Sequence, residues 1–278
     1  MTPPDIFDRR LRRLRRDRAA PGYAGFDFLR AHMLEGIGDR LDSVTRPFTD
    51  VLDLGCFDAS FAPPPGARIT RLDPGAAFAT AAGAVQAEED QANFPDASFD
   101  LIVAAGTLDT VSDLPGALVL ARRALRPDGL FIAAFTGGST LSALRATLRE
   151  AEGDAPAARI HPQVEVRAAG DLLSRAGFAL PVADVETLSV RYRDLWSLLR
   201  DLRGMAATNL LPGTPPLSRT TLARAAQIFA DRADPDGRTP ERFDIIYLTG
   251  WAPAPTQPQP ARRGSATASL TDALARRD

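Results

Sequence analysis

The chain has 278 residues, which suffice for one large domain or two small ones, and its 45% hydrophobic content can build a substantial core. Its 33 basic residues, all of them arginine, nearly balance 35 acidic ones, and the net charge of −2 argues against a protein that coats nucleic acid. A single cysteine and two histidines exclude an intrachain disulfide and a zinc site rich in Cys and His, so no metal site is predicted.

The sequence also lacks the usual signals for membrane insertion or secretion. No apolar run approaches the roughly 20 residues that span a bilayer. The start, from Met1 to Ile6, has no apolar segment of the secretory kind. We therefore expect a soluble, cytoplasmic protein with no membrane span.

The first segment of the chain is strongly basic. Residues 1–18 hold seven arginines and three aspartates, a local charge of +4. Phe7, Leu11 and Leu14 are spaced as on one face of a helix. Two interpretations remain open for this N-terminal arm, which we assign to residues 1–25: a solvated segment, or a helix that acts as a lid or docks a partner.

The first half of the next domain alternates helix and strand patterns. A helix with one buried face is predicted over 26–44, ended by Pro47. A second helix, over 114–125, is followed by a predicted turn at 126–129 (RPDG). Short apolar strands are predicted at 51–54, 69–72, 99–104 and 130–135. This alternation predicts an α/β fold with a parallel sheet and crossover helices.

The second half is more helical and ends in a tail. Helices are predicted over 140–151, 168–176, 195–205 and 217–233, and strands over 182–192 and 242–251. We place a helical cover at roughly 139–240 inside a domain that spans 26–251. Residues 192–209 mix aromatic and charged side chains, which suits a cleft wall or docking face as well as a helix that packs inward. Four prolines between 252 and 260 predict a mostly disordered tail over 252–278, with a short helix at 270–275.

Acidic residues follow three successive predicted strands. Asp53 lies at the end of the first strand and Asp73 at the end of the second, while Glu88 and Glu89 precede the strand at 99–104. Ligands of open α/β sheets bind at the carboxyl ends of the strands, where such acids can hold the ribose and base of a nucleoside. Each acid could equally be a turn former or a helix cap.

Several segments resemble the class I S-adenosylmethionine-dependent methyltransferases: residues 51–56 (VLDLGC), 71–73 (RLD), 94–103 (FPDASFDLIV) and 125–131 (LRPDGLF). The branch that contains biotin-pathway carboxyl methyltransferases shares the last two. Further segments are similar to the branch of respiratory complex I assembly factors, in which a mitochondrial relative is regarded as an arginine hydroxylase: residues 7–10 (FDRR), 135–141 (FTGGSTL), 175–178 (RAGF), 201–205 (DLRGM) and 247–251 (YLTGW).

This resemblance implies a Rossmann-like, doubly wound sheet with a helical cover in the C-terminal half. It also implies S-adenosylmethionine as cofactor. Asp53 and Gly55 would hold the amino-acid end of the cofactor, Asp73 its ribose, and Glu88 or Glu89 the edge of its adenine.

The loop after the first strand departs from the family pattern. The family has glycines at alternate positions there, whereas this chain reads GCFDA over 55–59, with Phe57 and Ala59 in place of the second and third glycines. A β-carbon disfavours a positive φ, and the Phe57 ring could fill the cofactor's space. Three prolines at 63–65 predict that the first crossover helix is shortened or replaced by a loop. If Phe57 points beside Asp73 the cofactor site is closed, and if it points into the core the site is open.

A second departure concerns the catalytic base. The family often has a histidine next to an aromatic residue after the fourth strand, and this chain has Leu108-Asp109-Thr110 instead. Asp109 is a weak candidate for a base, and the alternative is an exposed turn acid. His161 is interpreted as a satisfied structural residue rather than a ligand.

Two functions follow from these observations. The first is an S-adenosylmethionine-dependent methyltransferase-like protein that modifies an unidentified small-molecule or protein acceptor, favoured by Asp53, Gly55 and Asp73. The alternative is a catalytically degenerate assembly factor, or an arginine hydroxylase, with a complex I subunit as partner. Phe57, the triple proline and the missing histidine favour the alternative.

Overall fold

The computed structural model describes residues 5–154 and 156–257. Within them the chain alternates helices and strands as far as β5 and then becomes mainly helical before the sheet is completed. The helices are α1 (Arg9–Ala19), α2 (Phe28–Asp42), α3 (Ala76–Ala82), α4 (Leu114–Ala124), α5 (Ser142–Glu152), α6 (Val166–Arg175), α7 (Leu195–Gly204) and α8 (Arg219–Ala230). The strands are β1 (Asp50–Leu54), β2 (Arg68–Asp73), β3 (Val85–Gln86), β4 (Phe99–Ala105), β5 (Leu125–Gly137), β6 (Ala179–Tyr192) and β7 (Thr239–Trp251).

All seven strands form one sheet in the order β3-β2-β1-β4-β5-β7-β6. Strands β1 to β5 pair in parallel, and β7 runs antiparallel to both of its neighbours, β5 and β6. Strand β4 is buried along its whole length, as expected for a central parallel strand covered on both faces. The predicted fold class, a doubly wound α/β sheet, is confirmed.

The sheet has an apolar layer on each face, and alternate residues of a strand belong to opposite layers. In β4, Leu101 and Val103 join the layer that contains α2, α5, α7 and α8. Ile102 and Ala104 join the layer formed with α4 and α6. This alternation follows from the two-residue period of a strand, and it fixes the register of the sheet because a one-residue slip would exchange the two layers.

The chain between β1 and β2 crosses without a helix, as the prolines at 63–65 predict. The predicted turn at 126–129 is wrong in part, because these residues lie inside β5. The pairing with β4 shifts there, from Phe99 with Leu125 to Leu101 with Leu130, and Asp128 adopts a φ of 63°. The proline and glycine therefore produce a bulge at the start of the strand rather than a separate turn.

Helices α5 to α8 lie between β5 and β7 in the chain, within the predicted helical cover, and β6 joins the sheet edge. No helix among the described residues has the length and apolar character needed to cross a membrane. The predicted tail lies mostly beyond residue 257, so its disorder and its helix at 270–275 fall outside the described residues.

Candidate functional site

Asp73, the last residue of β2, holds the loop that follows β1 through hydrogen bonds to its carboxylate. Asp73 is fully buried, and its carboxylate accepts hydrogen bonds from the backbone N–H of Phe57 (2.9 Å) and of Gly75 (2.8 Å). The loop that follows β1 is thereby tied to the end of β2. Gly55 has a φ of +72°, and a β-carbon at this position would lie 2.5 Å from the Thr107 side chain, so only glycine fits here.

Helix α1 inserts arginine side chains among the predicted cofactor acids. Arg16 donates to both oxygens of Asp73, at 3.1 and 3.0 Å. Arg12 donates to Glu88 (2.8 Å) and to both oxygens of Glu89 (2.6 and 2.9 Å). The two arginines share one helix face because they are four residues apart. We call Arg12, Arg16, Asp73, Glu88 and Glu89 the arginine–carboxylate cluster.

The structure therefore corrects one alternative for the N-terminal arm. Residues 9–19 are not a solvated segment but a helix whose inner arginines are buried, Arg12 and Arg16 being only 3% exposed. Asp8 begins the helix by accepting a hydrogen bond from the N–H of Leu11. The helix packs at the position where the sequence predicts a nucleoside.

The Arg12 pairing keeps its partners charged despite burial. Burial alone would lower the pKa of Arg12, but the charges and hydrogen bonds of Glu89 and Glu88 outweigh it and raise that pKa. Burial would likewise raise the pKa of Glu89, yet the Arg12 charge and hydrogen bonds hold it below its usual value. Thr107 joins this network through hydrogen bonds with Arg12 and Glu89.

The Phe57 ring lies in the apolar layer that contains α2 and packs against the guanidinium that pairs with Asp73. Its ring is 3% exposed and stacks on Tyr23 with centroids 5.0 Å apart, while Phe78 contacts it edge-on. The Arg16 guanidinium carbon lies 3.7 Å from the ring centroid, a cation–π contact. The backbone has a φ of 48° at Phe57 and of 60° at Ala59, so both residues adopt the left-handed conformation. A β-carbon disfavours this conformation, as noted from the sequence.

These contacts bear directly on the fit of S-adenosylmethionine. The acids predicted to hold its ribose and adenine are already bonded to Arg16 and Arg12, and the Phe57 ring packs against the Arg16 guanidinium that pairs with Asp73. In this conformation the residues do not fit the cofactor. Asp53, Gly55, Asp73, Glu88 and Glu89 do lie at one edge of the sheet, and their role as cofactor ligands stays a prediction.

Asp53 is the exception among the acids, because neither of its oxygens has a hydrogen-bond partner in the described residues. The nearest cationic nitrogens belong to Arg30 (3.8 Å) and Arg71 (3.9 Å). Burial raises the pKa of Asp53 to about 6. Burial also raises the pKa of the neighbouring Cys56 thiol, to about 12, so this thiol stays protonated near neutral pH.

A cavity of about 430 Å³ lies on the other side of Phe57, between the ends of β4 and β5 and the helical cover. Its walls are mainly apolar and come chiefly from α5 and α7: Leu141, Leu144, Leu148, Ile160, Leu199 and Leu202. Asp109 lies in this cavity and accepts a hydrogen bond of 2.6 Å from the Thr136 hydroxyl. It is half-buried rather than an exposed turn acid, so the structure excludes that alternative and leaves its role as a base a prediction.

The cavity also collects buried polar atoms that have no hydrogen-bond partner in the described part of the chain. They are Arg15 Nε, Asp109 Oδ1, Gln163 Oε1 and Thr208 Oγ1. Such atoms cost free energy when they stay unsatisfied, so their convergence marks a place for a polar ligand. Sequence reasoning missed Gln163 and Thr208, because each lies in a loop without a motif.

His161 contacts the same cavity but is satisfied, as predicted. Its Nε2 accepts a hydrogen bond of 2.9 Å from the N–H of Leu210, and its ring packs on Phe7. Burial lowers the pKa of His161, against the opposing charge of Asp109. The neutral imidazole therefore positions the loop that carries Thr208.

The helical cover exposes one large aromatic side chain and begins α5 without a polar cap. Trp196 is 51% exposed and does not pack inward, whereas Leu202 does. Leu141 occupies the cap position of α5, and the N–H of Ser139, before it, donates to Asp244 at 2.8 Å. Gly138 has a φ of +55°, and a β-carbon there would meet Asp244.

Comparisons with known proteins agree with this architecture. Residues 52–133 match the family described as "Methyltransferase domain". The YcgJ protein of Bacillus subtilis has a similar structure, with a TM-score of 0.55 at 18% identity over 81% of this chain and 99% of that one. The strand order and the matching domain thus define a class I methyltransferase fold, and the chain is a methyltransferase-like protein.

Two curated relatives extend over most of the chain. The arginine-hydroxylase NDUFAF5, mitochondrial, of Danio rerio is 33% identical over 96% of this chain and 89% of its own length. The malonyl-acyl-carrier-protein O-methyltransferase of Laribacter hongkongensis is 29% identical over 86% of this chain and 87% of its own length. The chain belongs to the family that contains the NDUFAF5 proteins.

Proposed function

We propose that this protein is an assembly factor for respiratory complex I that keeps the methyltransferase fold without using S-adenosylmethionine. The observation that carries the proposal is the arginine–carboxylate cluster, in which Arg12 and Arg16 hold the acids of the predicted cofactor site. A cofactor would have to break these buried pairs and displace Phe57, at a cost of several kcal/mol.

The cavity supplies the binding function in this proposal. Asp109 Oδ1 and Gln163 Oε1 are unpaired acceptors at the polar end of an apolar pocket. A guanidinium on an aliphatic stem matches that arrangement, because it offers several N–H donors and an apolar chain. The relatives named arginine hydroxylases support an arginine of a complex I subunit as the group that is bound.

The location follows from this role. The relative's name places it in mitochondria, and the sequence of this chain predicts the cytoplasm. We propose that the protein meets a complex I subunit in the cytoplasm before the subunit joins the membrane-bound complex.

Methyl transfer from S-adenosylmethionine is the second candidate function. Asp53, Gly55 and Asp73 favour it, since they keep the family's positions at the ends of β1 and β2. It requires α1 to leave the cluster and Phe57 to turn away from Asp73. Asp109 would then be the candidate base for the acceptor.

Deletion and complementation of the gene separate the two functions. We expect deletion to reduce assembled complex I on native gels and to reduce NADH:quinone activity, and the wild-type gene to restore both. Asp53→Asn should restore them as well, whereas Asp109→Asn should not. The two substitutions are matched, since each replaces one carboxylate by an amide of the same shape.

Failure of Asp53→Asn to restore complex I would favour methyl transfer, because Asp53 belongs to the predicted cofactor site, whereas Asp109 has a role in both functions. Unchanged complex I in the deletion strain would overturn the assembly role altogether.

A further inference from the structure

Two arginines that line the cavity have no ion-pair partner in the described part of the chain. They are Arg15 of α1 and Arg203 of α7, and no described carboxylate lies within ion-pair distance of either. Arg18 and Arg200 do not line the cavity, but they too have no such carboxylate near them, and each lies one turn from Arg15 or Arg203 on the same helix. We call these four residues the basic rim.

The basic rim contrasts with the rest of the molecule. The chain as a whole carries a net charge of −2, and many of its arginines are paired, including the inner face of α1 through Arg9, Arg12 and Arg16. Unpaired like charges around one opening repel each other and create a local positive potential. No ion pair among the described residues uses the four arginines of the basic rim.

The apolar surface beside the rim has the character of an interface. Trp196 lies one turn before Arg200 on α7 and is 51% exposed, and Leu14 on α1 is 41% exposed. Trp and Arg are the residue types most enriched where protein surfaces bind each other tightly. Helices α1 and α7, which carry these two exposed apolar residues, pack together.

We propose that the basic rim docks an acidic protein segment, so that carboxylates flank the side chain that enters the cavity. This inference rests on the proposed function, and it adds the chemistry of the partner around the inserted group. Charge complementarity favours an acidic segment, because Arg15 and Arg203 line the cavity and Arg18 and Arg200 extend the positive charge along α1 and α7. The carboxylates would steer the partner to the opening and set its orientation, and salt would weaken this contribution.

Fluorescence anisotropy with synthetic peptides tests the inference on the full-length protein. The probes are a short peptide with a central arginine between aspartates and glutamates, the same peptide with serine and glycine flanks, and the acidic peptide with a central alanine. We expect the acidic flanks to tighten binding by about tenfold at ~0.05 M salt and the advantage to fall towards unity at ~0.5 M.

A matched pair of variants locates the effect. Arg15→Gln combined with Arg203→Gln should remove most of the advantage of acidic flanks. Arg167→Gln combined with Arg175→Gln makes the same charge change on exposed positions of α6, on the other face of the sheet, and should leave it intact. The salt titration of the wild-type protein tests the same point if the rim variant does not fold.

The outcomes distinguish this inference from the proposed function. Equal binding of acidic and neutral peptides would overturn the basic rim as a docking surface. Equal binding of the arginine and alanine peptides, with the effect of the flanks preserved, would overturn the guanidinium pocket and support the rim. If the protein binds phosphatidylglycerol vesicles and none of the three peptides, the basic rim does not dock a protein segment and the inference is overturned.

Discussion

Asp53 differs from the other acids of the site because burial is not matched by a hydrogen bond. Each of Asp73, Glu88 and Glu89 accepts a hydrogen bond from an arginine. The nearest nitrogens of Arg30 and Arg71 are 3.8 and 3.9 Å from the Asp53 oxygens, too far for a hydrogen bond. A buried carboxylate without such a bond is destabilised in its charged form. The pKa of Asp53, raised to about 6 from 3.8, expresses that cost.

This difference predicts how stability depends on pH at Asp53. Between about pH 4 and pH 6, Asp53 is ionised in the unfolded chain but still protonated in the folded protein. The free energy of unfolding therefore falls as pH rises through this range, and at pH 7.5 Asp53 lowers it by up to about 3 kcal/mol. Asp53→Asn removes that penalty. We expect the variant to be more stable than the wild type at pH 7.5, with the difference vanishing near pH 4, in urea titrations at both pH values.

The exposed Asp39 on α2 provides the control. Asp39→Asn should change stability by no more than about 0.5 kcal/mol at either pH. A loss of stability in Asp53→Asn at pH 7.5 would show that the carboxylate is satisfied in the folded protein.

At the scale of elements, helix α1 shows what the sequence could and could not reveal. The spacing of Phe7, Leu11 and Leu14 indicated a helix, but not the partners of its arginines. Arg12 and Glu88 are 76 residues apart in the chain and meet only because the sheet brings the end of β3 under α1. The acids were found at the correct edge of the sheet because strand ends can be read from sequence.

The loops were harder to predict than the strands. Four of the five parallel strands follow from short apolar runs between turns, whereas the two-residue β3 was not predicted. The missing first crossover helix follows from three prolines. Gln163 and Thr208 reach the cavity through irregular segments whose path depends on tertiary packing, and no periodic pattern marks them. Phe57 could be recognised as unusual from sequence, and only the structure shows that its ring packs in the apolar core layer and against Arg16.

The docking of α1 is testable through one substitution. Arg12→Met keeps a long side chain but leaves Glu89 buried without its cation and Glu88 with only the exposed Arg13, which should lower the free energy of unfolding by about 3–5 kcal/mol. Arg10→Met makes the same change on the exposed side of α1 and should cost less than about 0.5 kcal/mol. Urea denaturation followed by circular dichroism measures both, and equal effects of the two substitutions would contradict a buried cluster.

At the scale of the whole molecule, one sheet edge carries two different sites. At the first site, Arg16 and Arg12 pair with the acid at the end of β2 and with the acids after β3. At the second site, an apolar cavity with polar atoms that have no partner in the described residues lies at the ends of β4 and β5. Phe57 separates them and contributes to both. The proposed function follows from this division: the fold keeps the acids of a nucleoside site, and we propose that binding takes place in the neighbouring cavity.

Calorimetric titration of the full-length protein with S-adenosylmethionine tests this account most directly. We predict no detectable binding of the folded wild-type protein at ~1 mM ligand, because Arg12, Arg16 and Phe57 fill the site. Micromolar binding that is lost in Asp73→Ala would contradict the account and establish Asp73 as a cofactor ligand.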